Sequence, residues 1–175
     1  MREERKILFE GKYRRFVLKD GWEFTERVGV GGIVAILAVT DQNKLLLIEQ
    51  HRIPVGCHVI ELPAGLAGDS EGCRGESLEA AARRELLEET GYEAGKLVLI
   101  GKGPASSAVS SDVIHLYRAL DVRKVAEGGG DATESIKVHE VALEHFDEWV
   151  RGRQREGYLV DPKIFTALYL LMRNY

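Results

Sequence analysis

Glu85, Glu88 and Glu89 stand at i, i+3 and i+4 in an unbroken run from Ser77 to Tyr92. The run is rich in Leu, Ala, Glu and Arg and meets Gly91 near its end, which predicts a helix with a glycine C-terminus. With Glu85 at zero and about 100° per residue, Leu78, Ala81 and Ala82 fall on the same side as the three glutamates. The apolar stripe becomes acidic. Like charges at these spacings repel, and burial raises the cost unless cations compensate. Arg84, beside Glu88, is expected to offset one charge. A hard divalent cation held through oxygens would compensate the rest, and Mg²⁺ suits because it takes a few carboxylates, keeps several waters and engages phosphates. A solvated acidic face explains the same pattern, and the spacing alone does not separate the two.

The residues from Arg84 to Tyr92, with Glu76 eight positions before Arg84, resemble the C-terminal part of the Nudix box, G-x5-E-x7-R-E-U-x-E-E-x-G-U. The resemblance implies hydrolysis of a nucleoside diphosphate linked to another moiety, with Mg²⁺ or Mn²⁺ held by Glu85, Glu88 and Glu89. It makes Arg84 the residue that orients those acids. The box glycine would fall at position 70, which is Ser70; Gly65, in Glu61-Leu62-Pro63-Ala64-Gly65, matches instead, so five extra residues lie between Leu66 and Gly75. Their Gly, Asp and Ser content suits an exposed loop that reshapes the rim of the site. In related enzymes the carbonyl at the position of Ala64 is a further metal ligand.

More distant segments extend the likeness. Arg52, in Gln50-His51-Arg52, matches a Q-x-R arginine that contacts the diphosphate, a role suited to a planar fork that grips two oxygens. A surface ion pair is its other reading. Trp22, in Trp22-Glu23-Phe24, resembles the tryptophan that stacks on adenine in the ADP-ribose pyrophosphatases of the family, although an aromatic on a strand more often packs in a core. Glu134, after the glycines at 128–130 and before Ile136, matches the catalytic glutamate of a loop; three successive glycines predict that this loop moves. Pro104 to Ser111 is the loop that sets specificity in the superfamily. Its usual proline would fall at Ala108, and Pro104 comes four positions early, which keeps nucleoside diphosphate sugars open beside ADP-ribose.

These side chains need a frame. Lys6 to Val28 alternates polar and apolar residues around a tight Asp20-Gly21 turn, predicting short antiparallel strands. Ile33 to Val39 is a continuous apolar run, as in a strand covered on both faces. Further strands are expected at 45–49, 59–62, 96–100, 113–120 and 136–141, and helices at 142–152 and from Asp161-Pro162 to Arg173. His51 and His115 are read as structural. The resemblance implies a Nudix α/β/α sandwich with a mixed sheet over residues 29–175. It also implies an N-terminal antiparallel β extension over residues 1–28 that builds a homodimer.

With 175 residues and a net charge of −4, the chain suits one domain and lacks the basic surface of a nucleic-acid binder. Cys57 and Cys73 have no metal-ligand or redox spacing, so they read as reduced structural thiols. No signal peptide and no membrane span are evident, and a cytoplasmic location is the expectation. The expected activity is thus metal-dependent cleavage of ADP-ribose or a nucleotide sugar to a nucleoside monophosphate and a sugar phosphate. Two alternatives are a hydrolase of damaged nucleoside triphosphates and a catalytically silent Nudix-like module that only binds nucleotides.

Overall fold

A strand of small and branched apolar residues, β4 (Gly32–Ala38), divides the core of the computed structural model, which describes residues 4–68, 71–130 and 135–173. Val34, Ile36 and Ala38 point to one side and Ala35 and Leu37 to the other, the two-residue period of a strand. All five are fully buried, which explains why the run does not alternate with polar residues. Around β4 run β5 (Lys44–Arg52), β6 (Cys57–Glu61), β7 (Ala64–Ala67), α1 (Leu78–Thr90), β8 (Tyr92–Pro104), β9 (Val113–Lys124), β10 (Lys137–Ala142), α2 (Phe146–Arg155), β11 (Leu159–Val160) and α3 (Pro162–Met172).

Two mixed four-stranded sheets result, ordered β7-β4-β9-β8 and β10-β5-β6-β11. In the first, β4 and β9 are parallel; in the second, β6 and β11 are. Ala81, Ala82 and Leu86 of α1 cover one face together with Val34, Ile36 and Leu46. On the other face, Phe146 and Val150 of α2 and Ile164 and Ala167 of α3 pack with Ala35, Leu37, Leu45 and Leu47. Each fully buried Leu or Ile contributes roughly 2 kcal/mol. The expected α/β/α class stands, with its mixed sheet divided in two. The short strands β7 and β11 escaped the sequence reading because neither is long enough to show a period.

The N-terminal strands (numbered here in chain order before β4) are β1 (Lys6–Glu10), β2 (Arg14–Lys19) and β3 (Trp22–Arg27), an antiparallel sheet turning at Asp20 and Gly21, whose φ values are 51° and 78°. Positive φ at both residues is what a two-residue hairpin requires. The sheet is tied to the rest of the chain by Thr25 N–H donating to the Val109 carbonyl at 2.8 Å and Ser111 N–H to that of Thr25 at 3.1 Å. Among the described residues, no helix is long and apolar enough to cross a membrane.

Helix α1 is fastened at both ends. The Ser77 hydroxyl accepts from Ala80 N–H at 3.1 Å, and Gly91, with φ of 75°, returns its N–H to the Leu87 carbonyl. Beyond that, residues 125–130 close over the C-terminal end. Gly129 N–H donates to the Glu89 carbonyl at 2.9 Å, Gly130 N–H to that of Glu88 at 3.1 Å, and the N–H groups of Val125 and Ala126 to that of Gly91 at 2.9 and 3.0 Å. The glycines read from sequence as a moving loop are therefore used here as a helix clamp. A Cβ on Gly128, whose φ is +49°, would stand 2.4 Å from the Thr90 carbonyl carbon. We expect Gly128→Ala to lower unfolding free energy by about 2 kcal/mol or more, from left-handed strain plus displacement of the clamp. A urea titration measures this, and an unchanged midpoint would remove the clamp from the account.

Candidate active site

Arg84 is the hub of the site. One of its terminal nitrogens, Nη1, donates to Glu85 Oε1 and to Glu88 Oε2, each at 2.9 Å. The other, Nη2, donates to Glu76 Oε1 at 2.9 Å and to the Leu66 carbonyl at 3.0 Å. The sequence reading gave this arginine one charge to offset; it meets three carboxylates, because Glu76 is brought back by the loop before the helix. Gly68 N–H, donating to Glu76 Oε1 at 3.2 Å, fixes that return, so the inserted residues leave Glu76 in place. The guanidinium is held above its ordinary range, first by its hydrogen bond to Glu76 and then, against the opposing effect of burial, by the charge of Glu85. Glu76 in turn is held below the usual carboxylate range by that hydrogen bond.

The acidic end of α1 is buried and supported from β7. Glu89 is only 2% exposed, and its Oε2 accepts from Ala64 N–H at 2.8 Å. Glu85 is 8% exposed and lies against Gly65, where an added Cβ would stand 2.0 Å from the carboxylate carbon. Gly65 is thus the glycine that lets a strand backbone cross the carboxylate, the close approach that only a residue without Cβ permits. Glu88 is the outermost of the three, its side chain 47% exposed.

Glu85, Glu88, Arg84 and the backbone of Ala64 and Gly65 line one wall of a cleft of about 440 Å³. Arg52 stands on another wall, its Nε donating to Glu61 Oε2 at 2.6 Å. Arg14 and Arg27, which the sequence reading missed, also line the cleft and share the buried carboxylate of Asp112, at 2.9 and 3.3 Å. Burial lowers the affinity of Arg27 for its proton, partly offset by Asp112 and reinforced by the positive charges of Arg14 and Arg52. The hairpin register held the missing signal. A turn at Asp20-Gly21 sets Arg14 directly opposite Arg27, and two like charges so paired need an acid from elsewhere or an anionic ligand.

Trp22 is not in this cleft. It is 63% exposed and lines a separate groove with Phe24, Ser107 and Ala108, next to the loop expected to govern specificity. Glu134 lies outside the described residues. His51 is exposed, and His115 lies on the α1 face of β9 with its Nδ1 buried and, among the described residues, without a hydrogen-bond partner. His115 does not line the cleft.

The donor set is chemically specific. Glu61, Glu76, Glu85 and Glu88 are four carboxylates gathered around the guanidinium groups of Arg52 and Arg84, and Glu89 is buried nearby on the Ala64 N–H. The uncompensated charge is negative and its atoms are hard oxygens, with no Cys or His among them, so a divalent cation of the Mg²⁺ or Mn²⁺ kind fits and a thiolate-seeking metal does not. Among the described residues, no three acidic, His or Cys side chains already converge as a finished metal cage. Glu85 and Glu88 turn to Arg84, and Glu89 to the Ala64 N–H.

A helix carrying buried acids beneath a glycine strand faces a bank of arginines across a cleft, an arrangement that suits an anionic, phosphate-bearing ligand. A model of the NUDIX domain matches residues 31–158. The chain belongs to the NUDIX family and is an enzyme of its pyrophosphatase class. It is 36% identical over 141 residues to an ADP-ribose pyrophosphatase of Bacillus subtilis, covering 80% of this chain and 71% of that protein. To a methanol dehydrogenase activator of Bacillus methanolicus it is 32% identical, with the same coverage. A GDP-mannose pyrophosphatase of Cronobacter sakazakii is 29% identical over 78% of this chain and 71% of its own. Among solved structures, an ADP compounds hydrolase superposes with a TM-score of 0.73 at 19% identity, covering 99% of this chain and 92% of that one.

Two outcomes follow from this geometry. Gly65→Ala should cut turnover by at least tenfold while the fold persists, because the methyl group displaces the Glu85 carboxylate rather than core packing; unaltered kinetics would dissociate Gly65 from the site. Glu76, its folded pKa depressed, contributes stability that is present above its ordinary value of 4.5 and is lost as the pH falls through the folded value. Arg84→Gln should flatten that acid-side loss in thermal melts recorded across the acid range, and an identical slope would show that the pair carries no linkage.

Proposed function

We propose that this chain hydrolyses the diphosphate bond of a nucleoside diphosphate derivative, ADP-ribose or a nucleotide sugar, with Mg²⁺ or Mn²⁺. The observation that carries the proposal is the buried acidic end of α1 beneath Gly65, opposite Arg27 and Arg52. Relatives named for ADP-ribose and for GDP-mannose support the substrate class and leave base and sugar to experiment.

Glu85, Glu88 and Glu89, with the Ala64 carbonyl, would hold the metal. Bound there, a divalent ion neutralises diphosphate charge and lowers the pKa of a coordinated water. Arg52 positions the diphosphate, helped by Arg27, because paired guanidinium forks match phosphate oxygens. Arg84 keeps Glu85 and Glu88 oriented between turnovers. Water adds to one phosphorus, the bond to the bridging oxygen breaks, and Glu134 accepts the water's proton. Products are a nucleoside monophosphate and a sugar phosphate. Trp22 stacks on the base, a role supported by its exposure beside the 107–108 loop and best suited to a homodimer in which each N-terminal sheet reaches its partner. Exposed Phe9, Tyr13 and Phe16 on that sheet support such an interface. The two cysteines, both unpaired, accord with a cytoplasmic setting.

The deciding assay incubates purified protein with ADP-ribose and GDP-mannose, with and without MgCl₂, and follows nucleoside monophosphate release. Turnover should require the metal, and Glu89→Gln should lower kcat by roughly a hundredfold or more without unfolding the protein. Metal-independent turnover, or full activity in the variant, would refute the proposal.

A further inference from the structure

Arg52 and Glu61 are joined across a span that strand pairing alone does not bridge. In the antiparallel ladder of β5 and β6, Arg52 stands opposite Cys57 and Glu61 opposite Ile48, with Gln50 opposite Val59 between them. Successive residues alternate between faces, so these six side chains belong to one face of the sheet. Directly opposed and diagonal neighbours on one face meet readily, but Arg52 and Glu61 are one pair further apart than diagonal neighbours. Their bond, from Arg52 Nε to Glu61 Oε2 at 2.6 Å, therefore requires the side chains to lie along the strands across the Gln50–Val59 pair.

The direction of that reach follows from burial. Arg52 is the last residue of β5, and Ile53 and Val55 just beyond it are exposed. A long, flexible cation at the end of a strand is free to turn its charged head to water. Glu61 opposes that tendency. Its side chain is 12% exposed against 41% for Arg52, and an ionised carboxylate so buried needs a cation beside it. The acid is the interior member of the pair, so their bond draws the arginine inward, and both residues line the cleft. A guanidinium is planar and rigid, so fixing Nε also fixes the plane in which Nη1 and Nη2 lie.

We propose that Glu61 is a positioning residue for the hydrolysis: it holds Arg52 folded back along the sheet as a preformed grip for the diphosphate, its carboxylate committed to the arginine and not to metal or proton transfer. The inference rests on the reading of the cleft as the diphosphate site and of Arg52 as a phosphate contact. An arginine already ordered loses less freedom when it takes up a phosphate, so the effect of Glu61 falls on substrate affinity. An acid serves this purpose better than a neutral acceptor, because a charge-assisted bond is the stronger one.

Glu61→Met and Arg52→Gln, made singly and together, test the proposal with ADP-ribose and MgCl₂. Glu61→Met should raise KM at least tenfold and leave kcat within threefold of the parent. Its melting temperature should be unchanged or raised, because an apolar side chain of similar size replaces a buried acid whose partner can return to water. Glu61→Gln, which keeps an acceptor oxygen in place, should bring KM back to within threefold of the parent. The double variant should show the KM of Arg52→Gln alone, since the acid acts only through the arginine. Calorimetric affinity for ADP in metal-free buffer should follow the same order. Losses that multiply in the double variant, unchanged KM and ADP affinity in Glu61→Met, or collapse of its fold would each overturn the positioning role. So would a hundredfold loss of kcat in Glu61→Gln, which would make the acid a metal ligand or proton acceptor, or a parent protein that binds no ADP. A parent that binds ADP but hydrolyses neither ADP-ribose nor GDP-mannose would instead overturn the proposed reaction, while ADP affinity across the variants still decides the role of Glu61.

Discussion

The arrangement depends on one guanidinium, that of Arg84, serving three carboxylates that come from two directions. Glu85 and Glu88 lie on its own helix, and Glu76 arrives from the loop before it. Buried acids repel one another and lose water, so they hold a defined geometry only when a fixed cation or fixed N–H groups replace that water. Arg84 supplies the first and Ala64 N–H the second. Because Arg84 also donates to the Leu66 carbonyl, the helix, the loop and strand β7 are joined at a single side chain. The site is thereby held in shape without satisfying all of its negative charge, and that remainder is what a divalent cation can use.

The fold serves this constraint from both ends of α1. Leu86 and the two alanines Ala81 and Ala82 seat the helix on the first sheet, while the backbone of residues 125–130 supplies donors to carbonyls the helix leaves open at its end. The glycines at 91 and 128 allow two backbones to meet where any side chain would separate them. The glycines at 128–130, from which a moving loop was expected, are in this way part of the support for Glu88 and Glu89. Across the cleft, the N-terminal sheet contributes Arg14 and Arg27, so the extension is a wall of the site as well as a candidate interface.

Charge is distributed unevenly and usefully. The chain is acidic overall, with a net charge of −4, yet the cleft wall opposite α1 carries three arginines. An anionic substrate is met by local guanidinium forks and not by a general positive field, which favours a compact diphosphate over an extended polyanion. Asp112 moderates that wall by holding Arg14 and Arg27 close together without cancelling both.

The helix, its cap residues and the acidic turn of its stripe were legible in the sequence because they depend on neighbours three and four positions away. So were the N-terminal hairpin, the doubly buried β4 and the Asp161 cap of α3, and chain-wide pattern identified the family. Local sequence could not show that Glu76 returns to Arg84, that Gly65 crosses Glu85, or that Arg27 and Arg52 line one cleft, since each juxtaposition brings together segments whose approach is set by packing. Nor could it tell that Gly65 makes way for a carboxylate while Gly128 makes way for a backbone: both are glycine in a string of letters, and only the atoms that surround each one distinguish the two requirements.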